Sequence, residues 1–571
     1  MKSRLLVCLV VLASWAAVAG ARLYRLQVEQ HETYREKASR QQQGAISLHA
    51  PRGTIYDARG RELAVSMTVE SAFAVPYEVE SPRETARSLA RVLDLDANEL
   101  ASELAEQRSF VWVARQLDPP QAEAVRDLDL PGIHFLEESK RYYPQRELAA
   151  QVLGFVGVDN QGLGGLEALF DETVAGEALE RRVLRDARRG HLLYAERSIE
   201  EPEPGENLHL TLDATVQYIL ERELGRGLEK FSGKSATGVV LDPRTGAVLA
   251  MASLPGFDPN RYREFPEARR RNRVVQDAYE PGSTFKLITA ASVLEANLAD
   301  PADVFDCGRG SIVVYGKRIN DHRSFDRLSF REVIARSSNV GAIRLGLLAG
   351  PERLHATIER FGFGRLTGID LPGESPGLAR PLESWQKRSV AYISFGQEIS
   401  VTPLQLAVAF GAIANGGVLY RPYVVDSGAP PEVVGRPIAE STARSLERML
   451  EAVVEDGTAK LAAVPGYTVA GKTGTAEKAI PGQGYVAGRY VASFVGFVPA
   501  RDPRLVALIV VDEPRGPLYH GGDVAAGIFS ATMQQALLYL GVPPDRRDGT
   551  PWGELDRVAS VASSDGTDTL R

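Results

Sequence analysis

The sequence predicts an α+β fold in which residues 206–545 form one antiparallel sheet packed between helical layers. The stretch ATGVVLDPRTGAVLAMAS, residues 236–253, has two apolar and β-branched runs around an Asp-Pro-Arg-Thr-Gly turn, which is typical of a β-hairpin. The stretches YVASFVGFVPA, residues 490–500, and RLVALIVVDEP, residues 504–514, repeat this pattern, and a helical pattern follows from Val524 to Leu540. Since strands lie at both ends of the region with helices between them, we expect the two hairpins to share one sheet.

Composition is that of a globular protein with more than one domain. The 571 residues are 44% hydrophobic and 25% charged, which is enough for a large core. The 66 Lys and Arg residues against 74 Asp and Glu give a net charge of −8. No Lys/Arg run marks a nucleic-acid-binding face, so no nucleic-acid partner is expected. The two cysteines, Cys8 and Cys307, lie in different parts of the chain, so no disulfide is expected and they do not indicate a compartment.

The N-terminal segment indicates export. Lys2 and Arg4 precede seventeen uncharged residues, Leu5 to Ala21, and two arginines follow shortly after. Seventeen residues is about the lower limit for a membrane-spanning helix. The small residues Ala17-Val18-Ala19 suit cleavage of a signal peptide equally well. Both interpretations place the rest of the chain outside the cytoplasm.

The remaining chain divides into a first half, a main domain and a tail. The first half contains the strand–turn–strand pattern APRGTIYDARGRELAVS and helical patterns that start at Ser81 and Pro82, but no nucleophile paired with a base. Arg52 and Asp57 are interpreted as a structural ion pair at the turn. The proline-rich acidic stretch EEPEPGEN, residues 200–207, is typical of a linker. The predicted domains are an N-terminal anchor (1–23), a non-catalytic domain (24–205), the main domain (206–545) and a disordered polar tail (546–571).

The stretch YEPGSTFKLITA, residues 279–290, places a serine hydroxyl and a lysine amine one helical turn apart. Pro281 and Gly282 suit a helix entrance, so Ser283 is expected in the first turn, where the helix dipole favours developing negative charge. Because residues three apart share a helix face, the amine of Lys286 can reach the Ser283 hydroxyl. A lysine whose pKa is lowered by burial or by a nearby cation can deprotonate a serine. Ser-x-x-Lys also arises by chance as a cap followed by a surface lysine, so this motif alone does not establish a function.

A Ser-x-Asn motif follows in the stretch ARSSNVGAI. It supplies Ser337, Ser338 and Asn339. Between two helices, such a turn can place a second hydroxyl beside the lysine and an amide that holds a substrate carbonyl.

A third motif lies in the stretch VAGKTGTAEK, just before the C-terminal strands. Gly474 on a strand lets a substrate backbone approach closely, while Lys472, Thr473 and Thr475 can bind a carboxylate through charge and hydrogen bonds. Each motif is weak alone. Ser-x-x-Lys, Ser-x-Asn and Lys-Thr-Gly, in this order and in one domain, resemble the motif set of penicillin-binding proteins and serine β-lactamases.

Longer stretches resemble the septal class B penicillin-binding proteins, the peptidoglycan D,D-transpeptidases of bacterial cell division. In the main domain these are RNRVVQDAYEPGSTFK, SSNVGAIRLG, SFGQEISVTPLQLA and YHGGDVAAGIF. In the first half, APRGTIYDARGRELA and VDNQGLGGLEALFDETVAG resemble that family's elongated, non-catalytic pedestal of the dimerisation type. The resemblance covers roughly residues 20–540 and implies a penicillin-binding/serine β-lactamase-like transpeptidase fold. It also favours an uncleaved single-pass anchor with Lys2 and Arg4 in the cytoplasm.

The resemblance implies acyl transfer through a covalent serine intermediate. Ser283 would attack the carbonyl between the two terminal D-alanines of a stem peptide, with Lys286 as the base. Ser337 would relay a proton to the departing amine. The backbone N–H groups of Ser283 and Thr475 would form the oxyanion hole, in which each donor contributes about 2.7–4 kcal/mol.

The resemblance also implies the substrate contacts and the partners. Asn339 would orient the donor peptide, and Lys472, Thr473 and Thr475 would face its terminal carboxylate. No metal or organic cofactor is implied, and no Cys/His spacing of a metal site occurs in the sequence. The implied partners are peptidoglycan stem peptides, β-lactam antibiotics, the membrane, and division proteins that include a membrane-embedded glycosyltransferase, because no glycosyltransferase domain precedes the pedestal.

The lone histidines His322 and His520 are interpreted as ordinary polar contacts.

Three functions are alternatives to that of a septal transpeptidase. An elongation-type class B transpeptidase would use the same chemistry in a different assembly. A β-lactamase would need a water-activating base, and the sequence has no Glu-x-x-Leu-Asn loop like that of class A enzymes. A non-enzymatic β-lactam sensor would need a cytoplasmic signalling segment, and about four residues before the apolar segment leave no room for one. The same shortness puts in doubt the partner contacts that better-known members of the family make through a cytoplasmic tail.

Overall fold

The structure, a computed structural model, describes most of the chain. The described residues are 2–32, 34, 43–48, 50–106, 110–177, 179–185, 192–194, 203–480 and 484–546. The predicted tail, apart from its first residue, and the start of the predicted linker lie outside them.

A long apolar helix begins the chain. Helix α1 (Lys2–Tyr24) continues into a π-helical turn, Arg25–Glu29. The span Ser3–Glu29 has 27 residues and a mean hydropathy of 2.0, and its apolar window is not buried against the rest of the protein. At about 1.5 Å per residue, this length suits a hydrocarbon layer of about 30 Å.

The first half is an α+β unit built around one long strand. Its strands are β1 (Gln43–Leu48), β2 (Ile55–Tyr56), β3 (Glu62–Ala74), β4 (Val111–Leu117), β5 (Ile133–Tyr142), β6 (Phe155–Val156), β7 (Gly162–Gly164), β8 (Leu179–Arg185), β9 (Leu192–Tyr194) and β10 (Leu208–His209). Its helices are α2 (Pro82–Leu93), α3 (Ala97–Ala105), α4 (Pro119–Arg126), α5 (Ala150–Leu153), α6 (Gly165–Leu169) and α7 (Asp171–Val174).

The long strand β3 is the centre of the main sheet in this half. The sheet has the order β10–β2–β3–β4, and β5 pairs with β3 as well. The predicted hairpin is confirmed as β2 and β3, joined by a turn in which Gly60 has a φ of +75°. The predicted helix start is also confirmed, because α2 begins at Pro82 after Ser81. Leu89, Leu100 and Val113 belong to the apolar core between these helices and the sheet.

The prediction of an ion pair between Arg52 and Asp57 is wrong, because each residue has other partners. The Arg52 guanidinium is buried and bonds to Glu167 at 2.9 Å and to Asp171 at 2.6 Å. Asp57 accepts a hydrogen bond from Arg61 Nε at 2.7 Å. Glu167 lies 115 residues from Arg52 along the chain. Tertiary packing brings Glu167 to Arg52, so a prediction from proximity in sequence selected the wrong partner.

The second half contains the remaining strands and helices. Its strands are β11 (Ser235–Leu241), β12 (Val248–Leu254), β13 (Val304–Asp306), β14 (Ser311–Val314), β15 (Lys317–Asn320), β16 (Arg327–Ser329), β17 (Leu419–Tyr420), β18 (Val433–Gly435), β19 (Ala470–Ile480), β20 (Gly484–Val498) and β21 (Leu505–Asp512). Its helices are α8 (Ala214–Lys230), α9 (Glu267–Arg270), α10 (Arg273–Gln276), α11 (Lys286–Glu295), α12 (Phe330–Ala335), α13 (Asn339–Arg360), α14 (Ser389–Ile393), α15 (Pro403–Ala414), α16 (Glu440–Glu455) and α17 (Gly521–Tyr539).

The predicted sheet between helical layers is confirmed. Both predicted hairpins join one five-stranded antiparallel sheet of order β12–β11–β21–β20–β19. Helices α8 and α17 pack together against one face, and α15 and α16 pack together against the other. All of α15 is buried, so the sheet is covered on both faces. Strand β19 lies at an edge, which leaves one side of its backbone free of strand pairing.

The two halves are joined by a packed segment. Strand β10 of the linker region pairs in parallel with β2, and Gly205 N donates to Pro51 O at 3.0 Å. Asp213 caps α8 and also accepts hydrogen bonds from Arg59 at 2.9 Å and Arg61 at 2.8 Å. Buried apolar side chains of both halves belong to one continuous core. The described part of the predicted linker therefore packs against the first half, and β10 and Asp213, just after it, bind the two halves together.

Candidate active site

Ser283 lies in a tight turn at the entrance to α11. Residues Gly282–Phe285 form a 3-10 turn that leads directly into that helix, so Ser283 precedes the first α-helical turn. Gly282 has a φ of +54°, which favours glycine, and its N donates to Gly396 O at 3.0 Å. A Cβ on Gly396 would lie 2.1 Å from Gly282 O. The loop around Gly396 thus packs closely under the turn, while Ser283 itself is half-buried.

Lys286, the first residue of α11, is completely buried. Its Nζ donates to Ser337 O at 2.6 Å, to Asn339 Oδ1 at 2.8 Å and to Ser337 Oγ at 3.2 Å. Burial lowers the pKa of Lys286 to about 7, against the opposing effect of the Asp321 charge, which raises it. A lysine with a pKa near neutral can act as a base at physiological pH.

The Ser-x-Asn turn joins α12 to α13. Ser337 has a φ of +60°, an uncommon conformation for a residue with a side chain, and its carbonyl receives the shortest bond from Lys286. Ser338 caps α13 by accepting a backbone N–H of the first turn at 2.9 Å. Asn339 Nδ2 donates to Asn320 O at 3.0 Å. As the sequence predicts, the turn places a second hydroxyl and an amide beside the lysine.

The motif analysis missed Asp321, which holds this turn. Its Oδ2 accepts a hydrogen bond from Ser338 Oγ at 2.7 Å. Its Oδ1 accepts from the backbone N–H of Asn339 and from that of Val340 at 3.1 Å. Asp321 belongs to none of the three motifs, and a single aspartate between predicted elements has no pattern that would single it out.

Lys472 is the second buried lysine of the site. Its Nζ donates to Ser337 Oγ at 3.0 Å and to Thr473 O at 3.3 Å. Burial first, and then the charge of Lys286, lower the pKa of Lys472 well below its usual value. Because two buried ammonium groups repel each other, the closeness of the two lysines disfavours protonation of both at once.

The two threonines of the third motif are held by neighbouring elements. Thr473 Oγ1 hydrogen-bonds to Thr458 Oγ1 at 2.8 Å. Thr475 Oγ1 accepts from Gly521 N, at the start of α17, at 3.0 Å. The third motif is thereby tied to the end of the chain, and the positive end of the α17 dipole lies beside Thr475.

Gly474 allows close contact within the fold itself. A Cβ at this position would lie 2.3 Å from Ser493 Oγ and 3.1 Å from Pro281 O. The first neighbour belongs to β20 and the second to the backbone just before Ser283. The absence of a side chain at Gly474 therefore lets β19 lie against the turn that carries the candidate nucleophile.

All three motifs meet around the hydroxyl of Ser337. Its Oγ lies 3.2 Å from Nζ of Lys286 and 3.0 Å from Nζ of Lys472. A hydroxyl can accept one hydrogen bond while donating another, so Ser337 can pass a proton between its neighbours. The arrangement combines a half-exposed hydroxyl at Ser283, a base of near-neutral pKa and a hydroxyl that can relay a proton, which are parts that acyl transfer by a serine uses.

His322 and His520, two of the histidines of the main domain, meet at this site. The rings of His322 and His520 lie edge to face with centroids 5.6 Å apart, and His520 also contacts Tyr519 at 4.3 Å. Burial first, and then the charges of Lys286 and His520, lower the pKa of His322. Among the described residues, no group of three or more His, Cys, Asp or Glu side chains could hold a metal ion.

Comparisons with known proteins give the same assignment for both halves. Residues 236–534 match the penicillin binding protein transpeptidase domain, and residues 47–210 match the penicillin-binding protein dimerisation domain. Stage V sporulation protein D of Bacillus subtilis is 37% identical over 516 residues, covering 87% of this chain and 80% of that protein. Peptidoglycan D,D-transpeptidase FtsI of Escherichia coli K12 is 36% identical over 502 residues, covering 86% of this chain and 84% of that protein.

A solved structure shows the same architecture. Penicillin binding protein 3 from Mycobacterium tuberculosis, complexed with aztreonam, superposes with a TM-score of 0.67 and 28% sequence identity. The match covers 88% of this chain and 98% of that one. Both halves match known domains, and the chain belongs to the class B penicillin-binding proteins, which carry a dimerisation domain ahead of a transpeptidase domain.

Proposed function

We propose that the protein is a septal peptidoglycan D,D-transpeptidase that crosslinks stem peptides through an acyl-enzyme on Ser283 and is inhibited by β-lactams. The observation that supports this most directly is the convergence of Lys286 and Lys472 on Ser337 Oγ, beside the turn that carries Ser283. The relative from Escherichia coli is named a peptidoglycan D,D-transpeptidase, which supports the same reaction.

Acylation is the first half of the proposed reaction. Neutral Lys286 takes the proton of Ser283 as the hydroxyl oxygen attacks the carbonyl between the two terminal D-alanines. The backbone N–H groups of Ser283 and Thr475 bind the oxyanion that forms. Ser337 then delivers a proton to the amine of the departing D-alanine, so the C–N bond breaks and an ester to Ser283 remains.

Substrate contacts and deacylation complete the reaction. Asn339 orients the donor peptide, and Lys472, Thr473 and Thr475 bind its terminal carboxylate. Gly474 acts indirectly, because it lets β19 lie against the turn that carries Ser283. An amine of a neighbouring stem peptide next attacks the ester. A new C–N bond replaces the C–O bond, and the serine oxygen regains a proton from the amine.

The reaction can be tested with the purified full-length protein in detergent, a stem-peptide thioester as donor and an amino acid as acceptor. We expect transfer of the acyl group to the acceptor amine, blocked by prior treatment with penicillin. Continuous hydrolysis of penicillin would indicate a β-lactamase. Labelling by penicillin without turnover of the thioester would indicate a sensor, and either result would contradict the proposal.

The septal assignment rests on the relatives, and an elongation-type role is the competing assignment. FtsI and Stage V sporulation protein D share about the same identity with this chain. A fluorescent fusion expressed at its normal level should concentrate at the division site, and depletion should give filaments. Even labelling of the side wall with loss of rod shape would favour the elongation-type role.

We place helix α1 in the cytoplasmic membrane, with Lys2 and Arg4 on the cytoplasmic side and both domains outside the cytoplasm. The length and hydropathy of the span support this arrangement, as do the basic residues before it. The first half then separates the active site from the membrane. We propose that it also docks a membrane-embedded glycosyltransferase of the shape, elongation, division and sporulation class, together with other division proteins.

A soluble fragment that starts at Glu206 tests the role of the first half. It contains all three motifs, so we expect it to fold and to be acylated by penicillin. Its melting temperature should be lower than that of a fragment starting at Ala50, because the halves share a core and Glu221 loses its 2.8 Å bond from Ala149 N. The fragment should not restore division in cells that lack the full chain. Rescue at normal expression would refute the docking role.

A further inference from the structure

We propose that Asp321 is a positioning residue for acylation: it holds the Ser-x-Asn turn in place and supplies the negative charge that faces Lys286. This inference rests on the proposed transpeptidase function and adds a residue that lies outside the three motifs. The hydrogen bonds of the Asp321 carboxylate go to the turn, so we expect it to act through Ser338, Asn339 and Lys286.

The carboxylate of Asp321 is fully engaged by the turn. One oxygen accepts the Ser338 hydroxyl at 2.7 Å, and the other accepts two consecutive backbone N–H groups, those of Asn339 and Val340. The preceding carbonyl, of Asn320, accepts the Asn339 side chain at 3.0 Å. The end of β15 therefore fixes Asn339 through both its backbone and its side chain. An unpaired backbone N–H at a helix start is costly, so loss of the carboxylate should loosen the turn.

The position of the Ser-x-Asn turn determines which groups lie around Lys286, the proposed base. Asn339 Oδ1 accepts Lys286 Nζ at 2.8 Å, and Ser337 O accepts it at 2.6 Å. A shift of the turn would move both acceptors and the Ser337 hydroxyl relative to Ser283. Misplacement of catalytic groups by about 1 Å can reduce a rate by on the order of 100-fold.

The charge of Asp321 has a separate and opposite effect. The titratable groups around Lys286 are Asp321 at the end of β15, His322 beside it and Lys472 on β19. Of these, Asp321 is the acid, and its charge raises the pKa of Lys286 while burial lowers it. Removal of that charge should favour the neutral form of Lys286. The variant should therefore be slower at its best pH, yet keep its activity to a lower pH than the wild type.

The test compares three variants of the full-length protein. Asp321→Asn keeps the shape and removes the charge. Asp326→Asn removes the same charge at an exposed position of the same connection. Ser338→Ala removes the hydroxyl that joins Asp321 to the helix cap and leaves the charge in place. The measured quantity is the second-order rate constant of acylation by a fluorescent penicillin between pH 5 and 9.5, at constant ionic strength.

For Asp321→Asn we expect a plateau about 10-fold lower and an acid-limb midpoint about 0.5–1 unit lower. Asp326→Asn should match the wild type in both quantities. Ser338→Ala should lose rate with its midpoint unchanged. Only an electrostatic effect of Asp321 on the base predicts this split, since a merely structural role lowers the rate of both site variants without moving either midpoint.

An unchanged midpoint in folded Asp321→Asn would overturn the inference. If that variant does not fold, Asp321→Glu replaces it: this variant retains the charge, so its midpoint should stay within about 0.2 unit of the wild type while its rate falls, and a larger shift would overturn the inference. Failure of the proposed function looks different, because then the wild-type protein itself would not be acylated at any pH.

Discussion

Replacement of Ser283 by alanine is expected to abolish covalent labelling by penicillin completely. The acyl-enzyme needs an oxygen nucleophile at this position, and neither buried lysine can replace it, because both Nζ atoms are engaged with Ser337. The side chain of Ser283 is half-buried, so its loss should change the free energy of unfolding by less than about 1 kcal/mol. Labelling is measured by gel fluorescence, and folding by the melting temperature.

Ser292 provides a matched control on the helix that follows Ser283. It lies on α11, and its hydroxyl is buried without a hydrogen-bond partner among the described residues. Ser292→Ala removes the same group and should be labelled like the wild type. Mass spectrometry of the wild-type adduct should locate the penicilloyl group on the peptide that contains Ser283. Undiminished labelling of Ser283→Ala would show that another residue is the nucleophile.

Lys286→Arg should lower the second-order rate constant of acylation on the order of 1,000-fold. The guanidinium group stays protonated at any working pH, so it cannot take the serine proton. It is also larger and must fit a site in which Lys286 has no exposed surface. The rate is measured with a fluorescent penicillin under pseudo-first-order conditions. Lys387→Arg, an exchange at an exposed lysine, should leave the rate unchanged.

The pH dependence of the wild type gives an independent check on the base. Since burial lowers the pKa of Lys286 to about 7, the lysine is mostly protonated below this pH and cannot accept a proton. The acylation rate should therefore rise with pH through about 7, and Lys286→Arg should lack this rise. Acylation of Lys286→Arg at a near-normal rate would exclude Lys286 as the base.

The sequence could predict the sheet and the motifs because both depend on local patterns. The alternation of apolar residues around Asp-Pro-Arg-Thr-Gly marks β11 and β12, which the structure confirms. The motif residues Ser283, Ser337 and Lys472 are recognisable by type and spacing alone, and the structure brings their three segments together. Patterns of this kind can be recognised in the sequence because they do not depend on tertiary contacts.

Local sequence patterns did not predict the partners of Arg52 or the packing of the predicted linker. Arg52 binds Glu167, a partner selected by packing across 115 residues. Residues 203–207 have the composition of a linker, yet they pack against the first half. Gly205 lies so close to Val174 that only glycine fits there, and its N donates to Pro51 O. Composition describes what a segment prefers in isolation, and burial of a shared core overrides that preference.

The sequence by itself thus determined the family, the two domains with an apolar N-terminal helix, and the identity of the three motifs. Only the tertiary structure decided the hydrogen bonds and charges within the site. In the folded protein, Lys286 donates hydrogen bonds to Ser337 and Asn339, and Lys472 donates to the same Ser337 hydroxyl. Asp321 accepts a hydrogen bond from Ser338 in the Ser-x-Asn turn. The physical reason is that a pKa depends on burial and on charges within a few ångströms, which only the folded arrangement of distant segments sets.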